Sequence, residues 1–166
     1  MFEGKMREAM TAIKEALETD ATMIENKCNV IYRLAHPSKQ IGCDAGTFTV
    51  VLEPSGFSQL SGAGALDLQY FFWIFIKCKP SIFGTNDEER LTKLMEYLGE
   101  TIHGKKWGEV NTFISRGMIN YRTITLKTNS RDIYFELAKD EIGACLMFWG
   151  SLKSQQELQN TNVEVE

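Results

Sequence analysis

Residues Ala65–Lys79 are apolar on both faces of what reads as a single strand, and this limits the folds open to the chain. With alternating side chains, Leu66, Leu68, Tyr70, Phe72, Ile74 and Ile76 point one way. Asp67, Gln69, Phe71, Trp73, Phe75 and Lys77 point the other. A strand with one wet face would alternate cleanly, whereas this one turns apolar on both sides in the middle. It is therefore predicted to be central, its second face covered by helices, another sheet or a neighbouring subunit. It is not a membrane helix: Leu66–Ile76 carries Asp67 and Gln69 and falls well short of the roughly 20 residues needed to span a bilayer.

Helices are expected on either side of this strand in the sequence. Phe2, Met6, Ala9, Met10, Ile13, Ala16 and Leu17 make one apolar stripe at helical spacing, predicting a helix over Met6–Leu17. A short further turn is expected over Ala21–Asn26. After Pro80, Leu91, Leu94, Met95, Leu98 and Ile102 make a second stripe, over Asn86–His103. Thr85 or Asn86 is its expected cap, with Glu88 or Glu89 as capping-box partner. Asp87, Glu88 and Glu89 suit the positive end of the helix dipole, and Gly104 suits the first position past its end.

The remaining segments read as strands and loops. Val30–Ala35 and Gly46–Glu53 are β-branched and strand-like, with His36-Pro37 ending the first and Ser38–Ala45 a loop. Pro54–Gly64, rich in Pro, Gly and Ser, reads as a flexible surface loop. Asn120–Thr128, Asp132–Ala138 and Ala144–Lys153 read as closing strands, with turns at Thr128–Arg131 and Lys139–Gly143. The expected fold class is α+β: a mostly antiparallel β-sheet packed against two α-helices. Residues 1–153 are expected to form a single domain, and 154–166 a polar, flexible tail.

Composition narrows the function classes. The 43% hydrophobic fraction is that of a folded chain, and the formal net charge of −4 lacks the basic excess by which proteins neutralise phosphates. Lys105, Lys106, Arg116, Arg122, Lys127 and Arg131 are interspersed with acids and read as a solvated surface. The opening MFEGKMREAM has no apolar core like that of a signal peptide, so the chain is read as soluble and made in a cytoplasm. Cys28, Cys43, Cys78 and Cys145 form no CxxC pair and are expected to be free thiols.

No motif carries chemistry. Cys28, His36 and Cys43 match no common zinc spacing, so no metal is expected. Neither His36 nor His103 sits in a recognisable triad, and there is no Gly-x-Ser-x-Gly elbow. Ser61–Ala65 is glycine-rich but precedes a strand, whereas a phosphate-cradling loop follows one. Asp140-Glu141 reads as a turn. The chain is expected not to be an enzyme and to hold no cofactor. Its distinctive excess is aromatic: Phe71, Trp73, Phe75, Phe148 and Trp149 are candidates for a subunit or partner interface.

The stretch Met6–Asp20, running into Val30-Ile31-Tyr32, resembles the start of the tail terminator and tail-completion proteins of long-tailed bacteriophages. The similarity continues in the order of elements: a long loop, a central apolar strand, the helix Asn86–His103, then closing strands. The chain departs from smaller members of that family in its extra strand pair around Asn129–Ser151.

The resemblance implies a virion structural protein that forms a homo-oligomeric ring, usually a hexamer, at the head-proximal end of the tail. Such a ring ends polymerisation of the tail tube protein and joins the tail to the head–tail connector. DNA passes through its lumen without specific binding, no membrane is involved, and nothing is catalysed. Ser55, Gly56, Phe57, Ser58, Gln59 and Leu60 become candidates for a docking loop that orders against tube or connector. Two other readings stay open: another head–tail connector or tail-tube component, and a small cytoplasmic enzyme or ligand-binding α+β domain.

Overall fold

The computed structural model describes residues 4–32, 46–62, 65–79, 86–120, 123–128, 131–136 and 141–153. The expected end of the first strand beyond Tyr32, the His36-Pro37 turn, the Ser38–Ala45 loop, Pro80, Thr85 and the tail 154–166 lie outside them. So do the middle of the Thr128–Arg131 turn and the first two residues of the Lys139–Gly143 turn.

The fold is α+β. Three helices come from two regions: α1 (Lys5–Thr19) and α2 (Ala21–Glu25) near the start, and α3 (Asp87–Ile102) between strands. The strands are β1 (Cys28–Tyr32), β2 (Phe48–Gly62), β3 (Ala65–Cys78), β4 (Lys105–Trp107), β5 (Val110–Asn120), β6 (Thr123–Thr128), β7 (Arg131–Glu136) and β8 (Ile142–Lys153). Six strands form one sheet in the order β1-β2-β3-β8-β5-β4, and β6 and β7 form a separate antiparallel pair. Only β1 and β2 pair in parallel within the six-stranded sheet. The strand apolar on both faces, β3, lies between β2 and β8 as its composition requires.

The helices cover one face of the sheet. Met10, Ile13 and Leu17 of α1, Met23 of α2, and Leu91, Leu94, Leu98 and Ile102 of α3 pack on Val50, Leu52, Phe72, Ile74, Ile76, Leu146 and Phe148. Phe72 and Phe148, paired across β3 and β8, stack at 5.0 Å. Each such side chain contributes roughly 1.5–3 kcal/mol by leaving water. Helix α1 contacts both edge strands, β1 and β4. Its first turn is tied to the β4–β5 turn by Lys5, whose ammonium lies 3.3 Å from Glu109.

Local chemistry explains the helix ends. Asp20 closes α1 and caps α2, its carboxylate accepting from the N–H groups of Thr22 at 2.9 Å and Met23 at 3.1 Å. For α3, Asn86 holds the cap position but its side chain makes no capping bond, so the expected capping box does not form there. Instead the Asn86 carbonyl accepts from Arg90 N–H at 2.9 Å. At the other end Gly104 adopts φ +73°, the left-handed conformation that glycine takes most readily, and donates to the Thr112 carbonyl at 2.7 Å.

Two expectations about the strands are corrected. Of the expected Pro54–Gly64 loop, residues 54–62 are strand, because β2 continues to Gly62 and pairs with β3 down to Gly62↔Ala65. Proline is tolerated because the register shifts between Pro54 and Gly56. The stretch 105–120 holds two strands, β4 and β5, that alternation does not reveal.

Candidate assembly surfaces

The five aromatics expected at an interface do not share one surface. Register places Phe71 opposite Trp149 and Phe72 opposite Phe148, so Phe148 lies on the helix-covered face and is fully buried there. On the other face Phe75 is fully buried and Trp73 is 7% exposed within the single chain, while Phe71 and Trp149 are half-buried. Trp149 stacks on Phe113 of β5 at 4.6 Å. Phe71 and Trp149 are thus the members of the set with surface left to offer.

The second face also holds charge. Glu53 and Lys77 are buried in it, and the Lys77 ammonium lies 3.5 Å from the Glu141 carboxylate, itself 7% exposed. The indole N–H of Trp73 is buried without a hydrogen-bond partner. A buried orphan donor of this kind costs about 1–3 kcal/mol. Sequence alternation shows that this face is apolar in the middle, but not that its ionic ends are also buried.

The candidate docking residues Ser55, Gly56, Phe57, Ser58, Gln59 and Leu60 all lie in β2, as strand rather than loop. Their inner side is bonded to β3. On their outer side residues 54–62 have no neighbouring strand among the described residues, where the last β1 pair is Tyr32↔Leu52. The other sheet edge is blunted by the short strand β4, where Lys105 and Lys106 are exposed.

A groove of about 330 Å³ opens between α3 and the β5–β8 pair. Met95, Gly99, Ile114, Gly117 and Leu146 line it, and Glu96, Glu100 and His103 complete its walls. The glycines keep it open: a Cβ on Gly99 would come within 3.2 Å of Ile114, and one on Gly117 within 3.3 Å of Leu146. His103 does more than end a helix. Its Nδ1 accepts the Ile114 N–H at 3.0 Å, next to the register shift between Ile114 and Arg116, and its ring meets Phe113 edge-on. This link spans eleven residues, and nothing in local spacing announces it. Elsewhere, Ile24 stands 62% exposed on α2, the large apolar side chain left in water among the described residues.

Two of the thiols are held protonated by burial. Burial pushes Cys28 up to about 12 and Cys78 up to about 11, so neither is a ready thiolate. Among the described residues no three His, Cys, Asp or Glu side chains converge as a metal site, and no helix is long and apolar enough to cross a membrane. His36 and Cys43 lie outside the described residues.

No family model matches the chain, and no curated protein matches it significantly. Among solved structures it is similar to a chain from the virion of a native gene transfer agent particle, at 14% identity and a TM-score of 0.49. The similarity covers 87% of this chain and 94% of that one. It assigns a role to no residue.

Proposed function

We propose that this chain is a virion structural protein of a long-tailed phage, forming a ring that caps the tail tube, stops its polymerisation and joins it to the head connector. The observation that carries the proposal is the long β2 edge, residues 54–62, built on one side and left without a strand on the other among the described residues. Natural sheets seldom leave such an edge bare, and a neighbouring chain completes it by adding a strand. Ser55–Leu60 then act as a docking strand for the adjacent subunit, the tube or the connector. Repetition of one head-to-tail contact closes a ring when the rotation permits. In this reading the chain catalyses nothing and needs no cofactor, and its net charge of −4 lets DNA pass through the lumen without being trapped.

Negative-stain imaging of the purified chain, alone and with tail tubes, tests the proposal. Rings of uniform size seated on tube ends are expected. Long tubes of the chain itself would make it a tube component instead, and an unassociated monomer in both samples would overturn the assembly reading.

A further inference from the structure

We infer that Ile24 of one subunit anchors the contact by seating in the α3–β5 groove of the next, with Lys27 meeting Glu96 and Glu100. The inference rests on the ring reading and names the contact that would build it.

Both halves of the contact are present on one chain, on opposite flanks of α3. Arg90 and Tyr97 face the α2 region: the Arg90 guanidinium donates to Asn26 at 3.4 Å and the Tyr97 hydroxyl donates to Asp20 at 2.5 Å. Met95 and Gly99, which line the groove, are spaced by four and project about 160° around the helix from Tyr97. Ile24 therefore cannot reach its own groove, and a second copy can supply it. Such a head-to-tail contact is heterologous, the kind that repeats around a ring.

The chemistry matches on both sides. Ile24 is an exposed apolar knob, and the groove floor of Met95, Ile114 and Leu146 is apolar. Exposed Lys27 follows Ile24 by three residues, held in place by a backbone at φ +54°. Glu25 is turned about 100° away around the short helix. Across the contact, Glu96 and Glu100 are exposed on successive turns of α3, with no ion pair among the described residues. Two acids at that spacing repel mildly in the free chain, so a lysine from outside relieves them. One knob is too small to hold subunits alone. It acts as the anchor within a larger interface, to which the β2 edge contributes.

The test mixes two singly substituted chains, Ile24→Cys and Glu100→Cys, lets them assemble and oxidises them. A cross-linked dimer is expected only in the mixture, and the double variant should give a ladder ending at the ring's subunit number. Wild-type chain, treated alike, sets the background from native thiols. Ile24→Asp, at an exposed position, should keep its unfolding midpoint yet lose the ring. Lys27→Glu should also weaken assembly, and Glu96→Lys with Glu100→Lys should restore it.

Wild-type rings that survive Ile24→Asp and give no mixed cross-link overturn this contact while the ring stands, leaving the groove to a small apolar ligand or another protein. Cross-linking of Ile24→Cys to itself would show a two-fold contact and overturn it too. If the wild type forms no ring and the mixture does not cross-link, both readings fail.

Discussion

Single residues carry sharply different burdens in this sheet. Gly150 has no room for a side chain, because a Cβ there would lie 2.4 Å from Cγ1 of Val110, a stiff β-branched residue that is itself 1% exposed. Gly150→Ala should therefore destabilise the chain by about 1–3 kcal/mol in urea unfolding. Trimming the neighbour in Gly150→Ala with Val110→Ala should return part of that loss, and strict additivity would refute the clash. Lys77 and Glu141 carry a different burden, since both charges are buried 3.5 Å apart. Lys77→Met should cost about 3–5 kcal/mol by breaking a buried ion pair from one side, and Lys77→Met with Glu141→Leu less. If the double variant proved the less stable of the two, the pair would not be acting as a unit. None of this was legible in the sequence. Gly150 looks like any strand glycine, and the clash depends on β5 lying beside β8.

Helices and strands differ in how openly the sequence announces them. The stripes of α1 and α3 were readable because each buries one face on the sheet, which enforces the helical period. The placement of β3 was readable because only a covered strand sustains Phe71–Ile76 on both faces. Strand β5 was hidden because its register shifts between Ile114 and Arg116, so Val110, Thr112 and Ile114 do not continue in step to Met118. The outer half of β2 was hidden by composition, since Pro54, Gly56 and three serines are turn formers that pairing with β3 overrides. Of the candidate interface set, the sequence distinguishes the two faces of β3 but not which aromatic neighbours stay accessible.

One element junction depends on pH. Burial opposes the charge on Asp20, but the hydroxyl of Tyr97, the N–H groups of Met23 and Thr22 and the charge of Lys105 outweigh it, holding the carboxyl below its ordinary 3.8. A carboxyl depressed by folding stabilises the fold above its unfolded value, and that support is lost as pH falls through the folded value. Asp20→Ala should thus cost about 1 kcal/mol near neutral pH. The gap to wild type should narrow once the pH falls below 3.8. A gap that stayed constant through that range would show that the charge is not what matters.

For the whole molecule, a helix-covered core supports the surfaces from which the assembly proposal is argued. Among the described residues, β2 has an edge without a neighbouring strand, Ile24 is exposed, and an apolar groove is rimmed by Glu96 and Glu100. Together they fit the proposed subunit that meets unlike faces of its neighbours. The mass of the purified chain across a concentration series, read alongside images of the same sample, tests this central claim most directly. The account predicts a single closed species of fixed subunit number that caps tail tubes. A chain that stays monomeric at the highest concentration, and leaves tube ends bare, would contradict it.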